Sequence, residues 1–429
     1  MDSTDAEPHL EVVPDGVVNI LLDGITHGAE AVGRLPSGKV CFVPYAIPGE
    51  RVLVRVVEEH ARWARGDLVE IVEPSAARVE PPCPYFGPGR CGGCALQHVS
   101  PAQQAALKQR IVGEQLERIG KIADPPVTAT VLPGAGSAWP AGYRSSARFA
   151  VAPDGSLGFR RAGSHDVYPV DRCLLLAEAA QHLRERAGDA WAGVEEVTVR
   201  AGVTGAGTAL VVRPGPGPLP PLPAGDDPVA VVGATNAVAL RGDPTVHERV
   251  AGTDFAISPG SFFQPGPAGA ETLLELVRRS ARLAVGRRAL DLYAGIGLFA
   301  WGLSQDGFDV TAVESSRAAA RDAEDNLAFT GARVVRAPVD RFLRDHDAPI
   351  DVVVLDPPRR GVGADVVRRL AGLAPERLVY VSCDPASLAR DARDLVKAGY
   401  RLVEAVPVDQ FGHTASIEVV ATFLEASSS

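Results

Sequence analysis

The chain has 429 residues, 46% hydrophobic and 22% charged, which is the composition of a globular protein with room for two to four domains. No run of about 18 apolar residues offers a membrane-spanning helix, and the acidic start MDSTDAEPHLEVVPDG lacks a basic-then-apolar leader, so a cytoplasmic protein with no membrane partner is expected. A net charge of −10 excludes a uniformly basic nucleic-acid coat while leaving room for a local basic face.

Residues 1–15 are expected to be a disordered tail. From Val17 to Glu73 the runs VVNILLDG, KVCFVPYAIPG, RVLVRVVEE and GDLVEIVEP are separated by Gly, Pro and Asp. They predict a small OB-like β-barrel over 16–75, with Cys41 in its core. A β-rich central domain is expected over 76–257. It opens on PPCPYFGPGRCGGC and continues into a helix from Pro101 to about Gly120, with an apolar stripe of Leu107, Ile111, Leu116 and Ile119. The stretch 101–125 is placed to pack on the domain that follows, 258–429. Strand-like runs follow from Thr128 to Ala256, with one helix near Leu174–Arg186, and the proline-rich Pro214–Pro228 predicts an exposed loop.

From 258 to 429 helical runs alternate with short Val/Ile/Leu runs: RRALDLYAG, FDVTAVE, ARVVRAP, IDVVVLDPP and RLVYVSCDP, then YRLVEAVPV and SIEVVATFL. Apolar strands separated by helices imply an α/β domain with a mostly parallel, doubly wound sheet. In ALDLYAGIGLFA, Gly295 and Gly297 let a ligand approach the backbone at the end of the first strand. Glu314 ends the next strand, 19 residues after Gly295, where a carboxylate can accept both hydroxyls of a ribose. This pattern suits a dinucleotide or S-adenosylmethionine equally. Two further strand ends decide between them. Asp356 is held by Pro357 and Pro358 at the end of one strand, and Cys383 stands between Ser382 and Asp384 at the end of another. A structural thiol belongs inside a strand rather than at its polar end, and a dehydrogenase needs neither motif.

DLYAGIG, LDPPRRG, VSCDPASLARD and FGHTASIEVV, in this order, resemble the motifs of the RNA 5-methyluridine methyltransferases, which methylate uracil C5 in transfer or ribosomal RNA from S-adenosylmethionine. LDGITHGAEAVGR with FVPYAIPGERV is similar to the RNA-binding TRAM barrel found in many members, and YRSSARF, GFRRAGSHDVYPVDRC and SPGSFFQ resemble the family's central region. The resemblance implies a Rossmann-like methyltransferase sheet, Cys383 as nucleophile at uracil C6, and Glu418 as the base that removes the C5 proton. It also implies S-adenosylmethionine contacts from Gln264, Tyr293, Gly295, Gly297, Glu314, Asp340 and Asp356. The flipped uracil would meet Arg359 and Phe263, with Phe262 beside it. The family has a proline after the phenylalanine and often a histidine two residues before the glutamate, where this chain has Gly412 and Ser416.

Cys83, Cys91, Cys94 and Cys173 supply four soft ligands in a C-x7-C-x2-C pattern with a distant fourth, suited to zinc or an iron–sulfur cluster. The resemblance points to a [4Fe–4S] cluster that ties the barrel side to the central domain. Arg51, Arg55, Arg62 and Arg65 in the barrel and Arg144, Arg148, Arg160 and Arg161 in the central region would bind RNA if they line one groove. A monomer acting on a large-subunit rRNA uridine is the reading adopted, with tRNA as the alternative substrate. A non-catalytic RNA-binding or assembly protein and an iron–sulfur oxidoreductase are the readings of other classes.

Overall fold

A computed structural model describes residues 12–13, 16–134, 140–233 and 236–426. The expected tail lies outside the described residues except for Val12 and Val13, which form a short strand, β1 (Val12–Val13), antiparallel to the next. Strands β2 (Val17–Ile25), β3 (Ala31–Arg34), β4 (Val40–Val43), β5 (Arg51–Glu59) and β6 (Trp63–Glu73) run in the order β2-β3-β4-β6-β5, and β2 pairs again with β5 to close a barrel. Inward residues alternate along each strand, so Ile20, Leu22, Cys41, Val43, Val52 and Val54 fill its interior. Gly66 is needed there because a Cβ would lie 2.1 Å from Val54 Cγ1.

Helix α1 (Pro101–Arg118) starts on a proline at its first turn. Its Leu107, Ile111, Val112 and Leu116 are buried, each contributing about 1.5–3 kcal/mol relative to exposure. The helix packs on the last helix of the chain, and Gly120 just past its end lets the two backbones meet: a Cβ there would lie 3.2 Å from Ala389 O. The central sheet comprises β7 (Ser146–Val151), β8 (Leu157–Arg160), β9 (Val167–Pro169), β10 (Val194–Ala201), β11 (Thr208–Pro214), β12 (Val229–Val232) and β13 (Ala237–Arg241), covered by α2 (Glu178–Ala187). Helix α2 starts four residues later than the sequence pattern suggests. The preceding Leu175 and Ala177 use their backbone groups to pair with Arg144 instead. The proline-rich segment between β11 and β12 is irregular.

The boundary expected at 258 cuts through a packed unit. The hairpin β14 (Val246–Val250) and β15 (Thr253–Ile257) packs on α3 (Pro267–Ala281) and on a later helix, α5, and its Val250, Phe255 and Ile257 belong to the same core as Leu273 and Val277. Beyond it lie β16 (Arg288–Leu292), α4 (Leu298–Gln305), β17 (Asp309–Glu314), α5 (Arg317–Asn326), β18 (Arg333–Arg336), α6 (Val339–Asp345), β19 (Val352–Leu355), α7 (Ala364–Leu373), β20 (Arg377–Ser382), α8 (Pro385–Lys397), β21 (Tyr400–Val408) and β22 (Glu418–Glu425). The sheet order is β18-β17-β16-β19-β20-β22-β21, with the first five strands parallel and β22 antiparallel to both neighbours. One face is covered by α3 and α4. The other is covered by α6, α7, α8 and α1, with Ile25, Ala29 and Ile47 of the barrel joining that core. The barrel is therefore seated on the catalytic unit.

Candidate active site

Strand order reverses between β16 and β19, so the loops leaving their carboxyl ends diverge and open a crevice. The loop after β16 holds three left-handed residues: Tyr293 (φ 65°), Gly295 (φ 55°) and Gly297 (φ 88°). A Cβ on Gly297 would meet Leu327 Cδ1 at 2.9 Å, whereas one on Gly295 would point into open space. Two carboxylates stitch this loop. Asp291, fully buried in β16, accepts from Ala300 N at 2.8 Å. Glu314 accepts from Gly295 N at 3.0 Å and from Ser316 N at 2.6 Å. Burial, with Asp356 and Glu314 nearby, pushes Asp291 up to about 7.

The residues expected to be nucleophile and base meet two strands away. Ser382 of β20 pairs with Val419 of β22, so the next residue along β20, Cys383, comes beside Glu418, the first residue of β22. Asp384 caps α8 by accepting from Ser387 N at 2.7 Å, with Pro385 at the helix's first position, which ends the strand and turns the chain at Cys383. Glu418 is 3% exposed, for β22 lies between β20 and β21 rather than at the sheet margin. Its Oε2 accepts from Gln410 Nε2 at 2.9 Å, and its Oε1 is buried with no partner. Burial first, then Asp356, holds its carboxyl well above the usual range, against Gln410 and Arg359, which favour the anion. Burial, followed by Glu418 and Asp356, pushes the Cys383 thiol up to about 11, and the exposed Arg359 opposes this. Burial pushes Asp356 up to about 7.

Gln264 is buried behind this group, its Oε1 accepting from the same Gln410 nitrogen at 2.9 Å. Burial pushes the Tyr293 hydroxyl up to about 12, Arg360 opposes this, and Asp340, exposed in the first turn of α6, adds to it. Phe263 is half-buried, packed partly against the core of the α3 face, while its neighbour Phe262 is 67% exposed. From the barrel, His27 Nδ1 approaches Asp384 Oδ2 to 3.9 Å, beside Cys383. Sequence reading passed over Asp291, though a carboxylate inside ALDLY was a visible signal, and over Gln410. It also passed over the buried ion pair Lys108 Nζ–Asp409 Oδ1 at 2.5 Å, which spans 301 residues.

The four expected ligand cysteines, Cys83, Cys91, Cys94 and Cys173, line one cavity with Phe86, Phe159, Leu174 and Leu175 as apolar wall and Arg144 as its cation. Gly92 is pressed on the end of β8, where a Cβ would meet Ala162 N at 2.7 Å, and Gly93 N donates to Cys91 Sγ at 3.4 Å. Burial pushes Cys91 up to about 11 and Cys94 to about 12, and the neighbouring cysteines add to both. Among the described residues no three His, Cys, Asp or Glu side chains are gathered closely enough to hold a metal ion. The arginines differ in their surroundings. Arg51 and Arg65 pair with Glu73 and Glu30, Arg144 lines the cysteine cavity, and Arg161 lies over Tyr168. Arg55, Arg62 and Arg148 are exposed.

A crevice at the switch point, a glycine loop stitched by an acidic strand end, and a thiol beside a buried carboxylate define a nucleotide-cofactor transferase of the S-adenosylmethionine-dependent methyltransferase class. The tRNA (uracil-5-)-methyltransferase family profile matches residues 245–426, and the TRAM domain profile matches 16–69. The chain is 39% identical to an RNA methyltransferase of Streptomyces coelicolor, covering 92% of this chain and 90% of that one. It is 33% identical to the 23S rRNA (uracil(1939)-C(5))-methyltransferase of Alkalilimnicola ehrlichii, over 96% and 97%. The crystal structure of the Pyrococcus abyssi tRNA (uracil-54, C5)-methyltransferase with S-adenosyl-L-homocysteine superposes with a TM-score of 0.73 at 26% identity, covering 94% of this chain and 99% of that one. The chain belongs to the RNA (uracil-C5) methyltransferase family and uses S-adenosylmethionine as its methyl donor.

Proposed function

We propose that the chain methylates C5 of a uridine in large-subunit ribosomal RNA through a covalent adduct between Cys383 and C6. The observation that carries this is the antiparallel register that sets Cys383 beside Glu418 at the edge of the cofactor crevice. Uracil C5 is too poor a nucleophile to attack a sulfonium methyl unaided. The Cys383 thiolate adds to C6, the C5–C6 π pair becomes an enolate, and C5 displaces the methyl from S-adenosylmethionine, whose sulfur leaves with the bonding pair. Glu418 then removes the C5 proton, those electrons restore the double bond, and the thiolate departs. The Cys383 thiol is neutral at pH 7 in the free enzyme. Activation falls to Arg359 and to the amino-terminal end of α8, where partial positive charge favours an anion.

Gln264, Tyr293, Gly295, Gly297, Glu314, Asp340 and Asp356 form the S-adenosylmethionine site in this reading. Glu314, with both oxygens already held by backbone N–H groups, keeps lone pairs for the ribose hydroxyls. Arg359 and the exposed ring of Phe262 receive the extruded base, which an aromatic face can stack. The preference for ribosomal over transfer RNA rests on the 33% identity to a 23S rRNA enzyme over nearly its whole length and the 26% identity to the tRNA enzyme.

The same reading assigns a [4Fe–4S] cluster to Cys83, Cys91, Cys94 and Cys173. What supports this is the shared cavity: the four cysteines line it together with an apolar wall, burial raises Cys91, Cys94 and Cys173, and ligation would draw the sulfurs closer than they stand here. The cluster would serve as a structural tie, since the chain on either side of it contacts the barrel (Tyr45 OH to Gly87 O, 3.2 Å) and the central sheet (Cys91 with Arg161). Anaerobically purified protein should be brown with about four iron atoms per chain; colourless protein with one zinc removes the cluster.

The test of the reaction uses RNA from cells lacking the gene. Glu418→Gln should trap a labelled, methylated RNA–protein band on a denaturing gel, and Cys383→Ala should show none. Absence of the band with both the wild type and Glu418→Gln counts against the mechanism, and mapping the missing 5-methyluridine identifies the RNA.

A further inference from the structure

We propose that Gln410 is the positioning residue of the proton-removal step: its amide pins Oε2 of Glu418 and leaves Oε1 as the atom that takes the C5 proton. The inference rests on the reading of Glu418 as base and goes beyond it by assigning the oxygen and its support. One nitrogen, Gln410 Nε2, donates both to Glu418 Oε2 and to Gln264 Oε1, each at 2.9 Å. This joins the base directly to a residue of the proposed cofactor site. Glu418 Oε1 is buried without a partner, a costly state for a carboxylate oxygen unless something arrives there. The thiol, whose departure must follow proton removal, lies on the β20 side of the same glutamate.

The amide cannot swing away. Gln410 is packed under the start of α3, where a Cβ on Gly269 would lie 2.4 Å from Gln410 Oε1 and 3.0 Å from its Cβ. Its backbone segment is clamped from the other side of the chain. Lys108 Nζ donates to Asp409 Oδ1 and, at 3.3 Å, to Phe411 O; Tyr143 OH donates to Gly412 O at 3.2 Å; Gln104 Oε1 accepts from His413 N at 3.0 Å. The backbone N–H groups of Ala95 and Leu96, just after Cys94, both donate to His413 O. A neutral amide suits this place. It orients the carboxylate and favours its ionised form modestly, whereas an ammonium would hold the anion too firmly for it to work as a base.

The proton moves from C5 to Oε1, the C5–H electrons close the C5–C6 bond, and the Cys383–C6 bond breaks. Gln410→Met keeps the volume and removes the donor. In the full-length protein, with S-adenosylmethionine labelled in its methyl group and RNA from cells lacking the gene, adduct formation should stay within about threefold of wild type. Adduct release should slow by about 10- to 100-fold, so that the labelled band accumulates. The acid limb of the release rate should move to higher pH, because the lost N–H favoured the carboxylate. Gly269→Ala, which displaces the amide without altering any polar group, should give the same accumulation and keeps the proposal testable if Gln410→Met does not fold. Wild-type release and pH profile in both variants, with Glu418→Gln still trapping the band, would overturn the role of Gln410 alone. Loss of cofactor affinity with normal release would also overturn it, placing Gln410 behind Gln264 only. Failure of Glu418→Gln to trap the band removes the base itself.

Discussion

At the edge of the catalytic sheet one thiol stands among carboxylates, and around the cavity at the end of β8 four thiols stand among aromatic and aliphatic side chains. Burial raises the thiols in both places. What differs is the company. Cys383 has Glu418 and Asp356 raising it further and Arg359 opposing, which favours the neutral thiol beside the carboxyl that the proposed reaction uses as base. Cys91 and Cys94 have the other cysteines of the cavity as the groups that raise them beyond the effect of burial. The same residue type thus meets carboxylates in one setting and its own kind in the other, which in the proposed reading separates transient covalent chemistry from ligation. Residues 409–413 join the two regions: they carry Gln410 on one side and accept the backbone N–H groups that follow Cys94 on the other.

The comparison breaks most readily at the thiols themselves. Cys383→Ala should lower methyl transfer by at least about 10⁴-fold, as loss of a nucleophile does, with S-adenosylmethionine binding and metal content unchanged. Cys94→Ala should lose the metal while retaining measurable transfer. Equal and complete loss in both folded variants would erase the distinction. The shared segment is probed by Lys108→Met, which leaves Asp409 buried and unpaired. Unfolding in urea should show a loss of about 3–5 kcal/mol, and a loss near zero would mean that the clamp holds nothing. The smallest effect sharpens the electrostatic contrast. Alkylation of Cys383 by iodoacetamide in the free enzyme, followed by mass spectrometry, should accelerate about tenfold per pH unit from pH 7 to 9, since the thiolate fraction still climbs below a pKa of about 11. A rate already flat at pH 7 would show a thiol activated before substrate arrives.

Much of this was legible in the residues. VSCDPAS announces a strand end, a reactive position and a helix cap in seven letters, and the structure ends β20 and starts α8 there. The barrel followed from alternating β-rich runs, although its closure through β2 and β5 did not, because pairing between distant strands leaves no local trace. The boundary at 258 was misjudged because VHERV and TDFAI read as one more hairpin of a β-rich region. Only packing shows them seated on α3 and α5. Lys108 was hidden for a related reason. A lysine in a helix next to an apolar stripe reads as a solvated side chain, and its partner lies 301 residues on.

The order of strands and helices, the reactive types at the strand ends, the glycine loop and the cysteine spacing are properties of neighbouring residues, governed by backbone sterics and apolar periodicity, and the chain alone determines them. Which oxygen of Glu418 is free, that Gln410 links it to Gln264, and that the cysteine segment braces the catalytic loop were decided only in three dimensions. Burial and hydrogen-bond geometry depend on what the rest of the chain brings alongside, and no residue carries that information by itself.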